Sequence, residues 1–170
     1  MNLKQILTTA VLAACVSTAS MAQSYEKGDN LLNVGVGLGG SLGMPIGLSY
    51  EHGFSDKISG GAYVGYASKS ENFGAWSWKW TYMLAAARAS YHFDFNVDKL
   101  DPYLGVILGY NYAKGEWEGG GAGAWTGADA GGVVYGGHAG ARYFLSPKFG
   151  LFAEVGYGLG NLNVGLTFKL

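Results

Sequence analysis

The chain has 170 residues, a formal charge of −1 and only 14% charged residues, against roughly a quarter in ordinary soluble domains. It carries no basic run or stripe, which excludes a nucleic-acid surface, so no nucleic acid is expected among its partners. Glycine supplies 30 residues, and the single cysteine, Cys15, lies in the N-terminal stretch.

That stretch reads as an export signal. Lys4 precedes an apolar run from Ile6 to Val16, and the small residues Ser20 and Ala22 predict cleavage between Ala22 and Gln23, leaving one domain over 23–170. Such cleavage would remove Cys15 and with it any disulfide. "LAAC", Leu12 to Cys15, also resembles the lipobox of bacterial lipoproteins, so lipidation at Cys15 stands as the alternative. Past the signal no stretch approaches the ~20 apolar residues of a spanning helix. A membrane would have to be crossed by strands.

Period-two alternation recurs along 23–170 with turn signals between its instances. Leu32, Val34, Val36 and Leu38 alternate with Asn33, Gly35 and Gly37; Ile46, Leu48 and Tyr50 alternate with Gly47, Ser49 and Glu51. "GFSDK" predicts a tight turn, then Ile58, Ala62, Val64 and Tyr66 alternate with Ser59, Gly61, Tyr63 and Gly65. A polar, aromatic loop is expected around 69–77, with a change of face or a bulge near Trp78 and Trp80. Met83, Ala85, Ala87, Ala89, Tyr91 and Phe93 then oppose Ala86, Arg88, Ser90 and His92, although "MLAAARA" also has good helix propensity. Asn96, Asp98, Asp101 and Pro102 signal a turn into Leu104, Val106, Leu108, Tyr110 and Tyr112, opposed by Gly105, Gly109 and Asn111. A long Gly-rich loop is expected over about 114–132. Val133, Tyr135, Ala139, Ala141, Tyr143 and Leu145 form strand six, and Leu151, Ala153, Val155 and Tyr157 strand seven, after a turn at "SPK". The C-terminal "NLNVGLTFKL" is strand eight. Eight strands of ~10 residues predict an all-β, eight-stranded antiparallel up-and-down transmembrane β-barrel.

The face opposite the apolar one decides between a membrane barrel and a soluble one. A wet exterior would carry many Lys and Glu; this face carries glycine and a few charges of mixed sign, as a crowded interior does. Glu51, Arg88, Arg142, Glu154 and Lys169 are expected to pair across the lumen, because a lone charge there would be costly. An eight-stranded barrel is just wide enough to be filled by side chains, so a continuous pore is not expected. Tyr66, Tyr112, Tyr135 and Tyr157 would form one aromatic girdle, with Tyr50, Phe93, Tyr103, Tyr143 and Phe168 near the other, and outer-membrane lipid between them.

Asn163, Gly165, Phe168 and Leu170 resemble the C-terminal β-signal read by the outer-membrane barrel assembly machinery, with Leu170 where phenylalanine is the commoner terminus. With "LSYEHGFSDKISGGAYVGY", "ARASYHF", "DPYLGVILGYNY" and "GARYF", the chain resembles the small outer-membrane β-barrels of the OmpA/OmpX and porin-like kind. That resemblance implies location in the outer membrane of a Gram-negative envelope and engagement of the assembly machinery during biogenesis. It implies no single activity.

Other signals point to no cofactor or metal. "GVGLGG", Gly35 to Gly40, has dinucleotide-loop spacing but leads into a strand instead of a helix. His138 is expected as a hydrogen-bonded lumen filler, and His52 and His92 near the inner rim are too far apart in the pattern to suggest a metal site. Ser68, Ser70, Ser77 and Asp129 in the long loops lack a neighbouring histidine for lipid A acyl chemistry, so no enzyme is expected. Trp76, Trp78, Trp80, Trp117 and Trp125 read as interfacial anchors, with binding of a partner, sugar or headgroup as the alternative. The expected function is structural or interactive, through the loops; a narrow porin-like channel for small solutes is the alternative, and a lipid A-modifying enzyme the less favoured one.

Overall fold

The computed structural model describes residues 24–39, 43–73, 76–118, 129–158 and 160–170, without the side chains of 72, 73, 76, 117 and 118. The export-signal and lipobox readings at Ala22, Gln23 and Cys15 lie outside the described residues, as do Gly40 and Trp125. Eight antiparallel strands follow in chain order: β1 (Asn30–Leu38), β2 (Ile46–Ser55), β3 (Ile58–Phe73), β4 (Trp76–His92), β5 (Leu100–Glu118), β6 (Asp129–Ser146), β7 (Phe149–Gly156) and β8 (Leu162–Lys169). Each pairs with its neighbours in sequence, and β8 closes on β1 through Leu32↔Phe168 and Gly35↔Gly165. Closure removes the exposed edges that an open sheet would present.

Parity assigns the faces. Val34, Leu48, Val64, Met83, Val106, Leu108, Leu151 and Leu166 are exposed on the outside, whereas Asn33, Glu51, Arg88, Arg142, Glu154 and Thr167 are buried within. Glycine on the inner face admits neighbouring rings: a Cβ at Gly35 or Gly165 would meet Phe152 at 2.7 or 2.9 Å. The "MLAAARA" segment is strand because β3 and β5 pair with it along its whole length, which overrides its helix propensity.

Two expectations need correction. The segments expected as loops at 69–77 and from 114 are largely strand: β3 runs to Phe73, β4 starts at Trp76, β5 runs to Glu118 and β6 begins at Asp129. Nor does the pairing shift near Trp78 and Trp80, where Lys69↔Trp80↔Gly115 continues the register from below. The bulges sit at the tight turns instead, between Gly53 and Ser55 and between Phe144 and Ser146. Sequence alternation fades in these parts of β3–β6, while backbone pairing preserves parity.

Strands β1, β2, β7 and β8 have 8 to 10 residues, whereas β3 to β6 have 16 to 19. Pairing of β2 with β3 ends at Ile46↔Tyr66, so residues 67–73 continue beyond it, roughly 20 Å at ~3.3 Å per residue. The barrel thus bears a four-stranded extension on the side opposite the chain ends.

Candidate functional site

The lower lumen is filled by charge. Arg142, fully buried, binds Glu51 through Nη2, Asp101 Oδ2 through Nη1 at 2.9 Å and Asn33 Oδ1 through Nε at 3.1 Å. Arg88 lies 3.4 Å from Glu51 and donates to Glu154 Oε2 at 2.7 Å. Tyr103 donates its hydroxyl to the same Glu154 oxygen at 2.8 Å, and its ring lies 4.1 Å from the Arg142 guanidinium. Each charge therefore meets its opposite, the condition under which charges survive burial.

Proton counting orders the rest. Glu51 Oε2 accepts from Ser59 Oγ at 2.8 Å and from Ser90 Oγ at 2.7 Å. A hydroxyl has one proton to give, so each serine must accept from the histidine beside it. His138 Nε2 lies 3.0 Å from Ser90 and His92 Nε2 lies 2.8 Å from Ser59. His92 Nδ1 also faces Asp101 Oδ1 at 2.6 Å, and a carboxylate only accepts. His92 thus bridges Ser59 and Asp101 through its two ring nitrogens. Glu51, Asp101 and Glu154 are faced by the guanidinium groups of Arg88 and Arg142.

Ser59, His92 and Asp101 have the distances of a nucleophilic triad, but Ser59 is fully buried and its hydroxyl also bonds Glu51.

A strap before β1 caps this layer. The Tyr25 ring stacks on His92 with centroids 3.6 Å apart and planes within 4°, and its hydroxyl donates to Ser55 O at 2.9 Å. Backbone bonds from Gly28 N to Gly53 O and from Gly53 N to Asp29 O hold the strap against β2. Burial, with help from the Asp101 charge, pushes the Tyr25 phenol up to about 12. Above the network lies a cavity of about 10 Å³ between Asn33, Ser49, Tyr63, Arg88, Phe152 and Glu154, close to the least a single water needs. Higher still, Tyr63, Ala67, Leu84, Ala86 and Ile107 form an apolar cluster.

No protein-family model matches the chain, and no curated protein sequence does. Solved structures do. The N-terminal β-barrel domain of Pseudomonas aeruginosa OprF aligns with a TM-score of 0.59 at 15% identity, over 85% of this chain and 98% of that one. Neisserial surface protein A, NspA, gives 0.52 at 19% identity over 84% and 94%, and a de novo designed transmembrane β-barrel gives 0.51 at 18% over 87% and 100%. The fold is that of the small transmembrane β-barrels.

Within this barrel, Glu51, Arg88, Arg142 and Glu154 come together. Lys169 sits nearer the inner rim, 2.8 Å from Asp29 Oδ2 and 4.9 Å above the Phe144 ring. Asp101, read from sequence as a turn residue, and Tyr103, assigned to a girdle, both belong to the lumen, at 1% and 2% exposure. Their parity with Gly105 carried that signal, but Asp101-Pro102 also has turn chemistry and tyrosine is common at membrane interfaces. Tyr103 points inward because Leu104 takes the outer face. Sequence reasoning also missed Tyr25, since a short segment ahead of the first strand has no periodicity to read. Tyr66, Tyr112 and Tyr135 are exposed on the outer surface, as are Tyr50, Phe93 and Tyr143, whereas Tyr157, past the end of β7, lies against inward-facing Gly136, where a Cβ would meet its Cβ at 2.5 Å. His52 lies apart from His92, its Nδ1 2.9 Å from Asn30 Oδ1, and no metal-binding group occurs among the described residues.

The C-terminal motif lies on β8. Asn163 and Gly165 face inward, the Phe168 ring packs 5.4 Å from Phe149, and Leu170 is 68% exposed.

The tryptophans of the extension need reassignment. Tyr82 packs on the inner apolar cluster, Trp80 stacks on Tyr82 at 6.3 Å and Trp78 lies 5.5 Å from Trp80. Unbroken parity keeps Trp78 and Trp80 on the lumen-side face, so they do not serve as lipid-facing anchors. Ser68, Ser70, Ser77 and Asp129 lie on the strands of this extension.

Proposed function

We propose that the chain is an integral outer-membrane protein whose lumen is plugged and whose role is carried by the β3–β6 extension outside the membrane. The observation that carries this reading is the opposition of the two faces: an apolar outer surface suited to lipid around an interior of matched charges. Such an interior holds a barrel closed but offers no solute path, which disfavours the narrow-channel alternative. A non-catalytic role accords with the full burial of Ser59 and with the position of His92 at the end away from the extension.

Outer-membrane lipid would cover the apolar band. Asn163, Gly165, Phe168 and Leu170 would present β8 to the assembly machinery, a reading supported by the exposure of Leu170.

Electrophoresis of the outer-membrane fraction, boiled and unboiled in SDS, tests the placement. A heat-dependent mobility shift together with a silent planar bilayer is expected. Recovery as a soluble periplasmic protein would overturn the placement, and steady single-channel currents lost in Arg88→Ala would overturn the plug.

A further inference from the structure

The inner face of the extension continues the lumen wall past the ends of β1, β2, β7 and β8, so no described strand stands opposite it. Three aromatic residues at every second position, Trp78, Trp80 and Tyr82, line that face as a ladder with centroids 5.5 and 6.3 Å apart. Register places Lys69 beside Trp80 and Glu71 beside Trp78 on the neighbouring strand. Lys69 and Glu71 pair at 2.8 Å with their side chains 41% and 45% exposed, so the flank is polar, accessible and neutral overall. On the other side a Cβ at Gly115 would meet Trp78 and Trp80 ring carbons at 2.9 Å each. Glycine there lets both indoles lie against β5.

Membrane anchoring does not account for these rings, because they face away from the lipid. We propose that the ladder is a binding site for a linear, uncharged oligosaccharide of flat pyranose rings, seated on Trp78, Trp80 and Tyr82 and hydrogen-bonded by Lys69 and Glu71. The axial C–H groups of a pyranose are made electropositive by the adjacent oxygens and are attracted to the negative face of an aromatic ring. Its equatorial hydroxyls need donors and acceptors at the side, which an ammonium and a carboxylate supply together. A repeating ring ligand matches a repeating ring platform. The neutral flank gives no attraction for nucleic acid or an anionic headgroup, and the charged pair is ill suited to an acyl chain.

The inference rests on the reading that the extension stands outside the membrane, and it names the ligand class of that surface. The test uses the mature chain in phosphatidylcholine nanodiscs, titrated with cellohexaose and with chitohexaose and followed by tryptophan fluorescence and calorimetry. Saturable binding of at least one hexasaccharide is expected, weakened about tenfold or more in Trp80→Ala, as for loss of a central aromatic contact. Lys69→Met should weaken it by a smaller factor, with the heat-dependent mobility shift retained in both variants. No saturable binding by a wild-type protein that still shows the shift would overturn the inference and leave the barrel reading intact. Binding that is unchanged in both variants, or seen only with peptides or phosphatidylserine vesicles, would overturn it as well.

Discussion

The lower barrel and the β3–β6 extension are built from the same strands but held by different physics. Below, every strand has two partners, the outside is apolar, and Glu51, Arg88, Arg142, Glu154, Asp101 and His92 bond one another in a buried interior. Above, β3 to β6 continue past the last register pairs with β2 and β7 among the described residues, and the charges include solvent-exposed pairs such as Lys69–Glu71 and Lys114–Glu116. A charge that is indispensable in the first region should be nearly silent for stability in the second. The difference is one of solvation: the same Coulomb attraction is screened by water above and by little below.

Arg142→Met should give the largest effect, because it takes the guanidinium from Asp101 and leaves Arg88 to face both Glu51 and Glu154. A loss of about 3–5 kcal/mol is expected, read as a lower urea midpoint for the heat-shifted form in detergent. Wild-type stability would mean that the network is not what holds the lumen.

The strap sharpens the comparison at the opposite end. The Tyr25 phenol is raised from 10 to about 12 by burial, so the unfolded chain ionises first. Its contribution is therefore complete below pH 10 and falls as pH rises towards 12, by at most about 3 kcal/mol. Urea midpoints measured across that range should drop more in wild type than in Tyr25→Phe. Parallel curves would show that Tyr25 is not the group responsible.

Lys69→Met should give the smallest effect on the fold. An exposed pair contributes about 0–1 kcal/mol, so the urea midpoint and heat shift should scarcely move. A loss as large as that of Arg142→Met would mean that the extension has a buried core of its own.

Alternation makes the lower barrel legible because one face is an apolar exterior and the other a narrow lumen, and each selects its own residue types. Glu51, Arg88, Arg142 and Glu154 stand out for that reason, as rare charges on a glycine face. Asp101 and Tyr103 escape because their residue types have commoner uses at strand ends, and only the pairing Asp101↔Arg142 puts them inside. Trp78 and Trp80 escape because apolar and polar residues no longer alternate in that part of β4, so only the register with β3 and β5 assigns their face.

The sequence by itself determined the strand count, the inward and outward faces and the charges that must pair, since these follow from a two-residue period and the cost of burying a lone ion. Tertiary structure alone decided which atoms meet: the protons shared among Glu51, the two serines and His92, the stacking of Tyr25 beneath them, and the aromatic ladder on the inner face of the extension. Those contacts depend on closure and on register between strands far apart in the chain, and no local pattern encodes them.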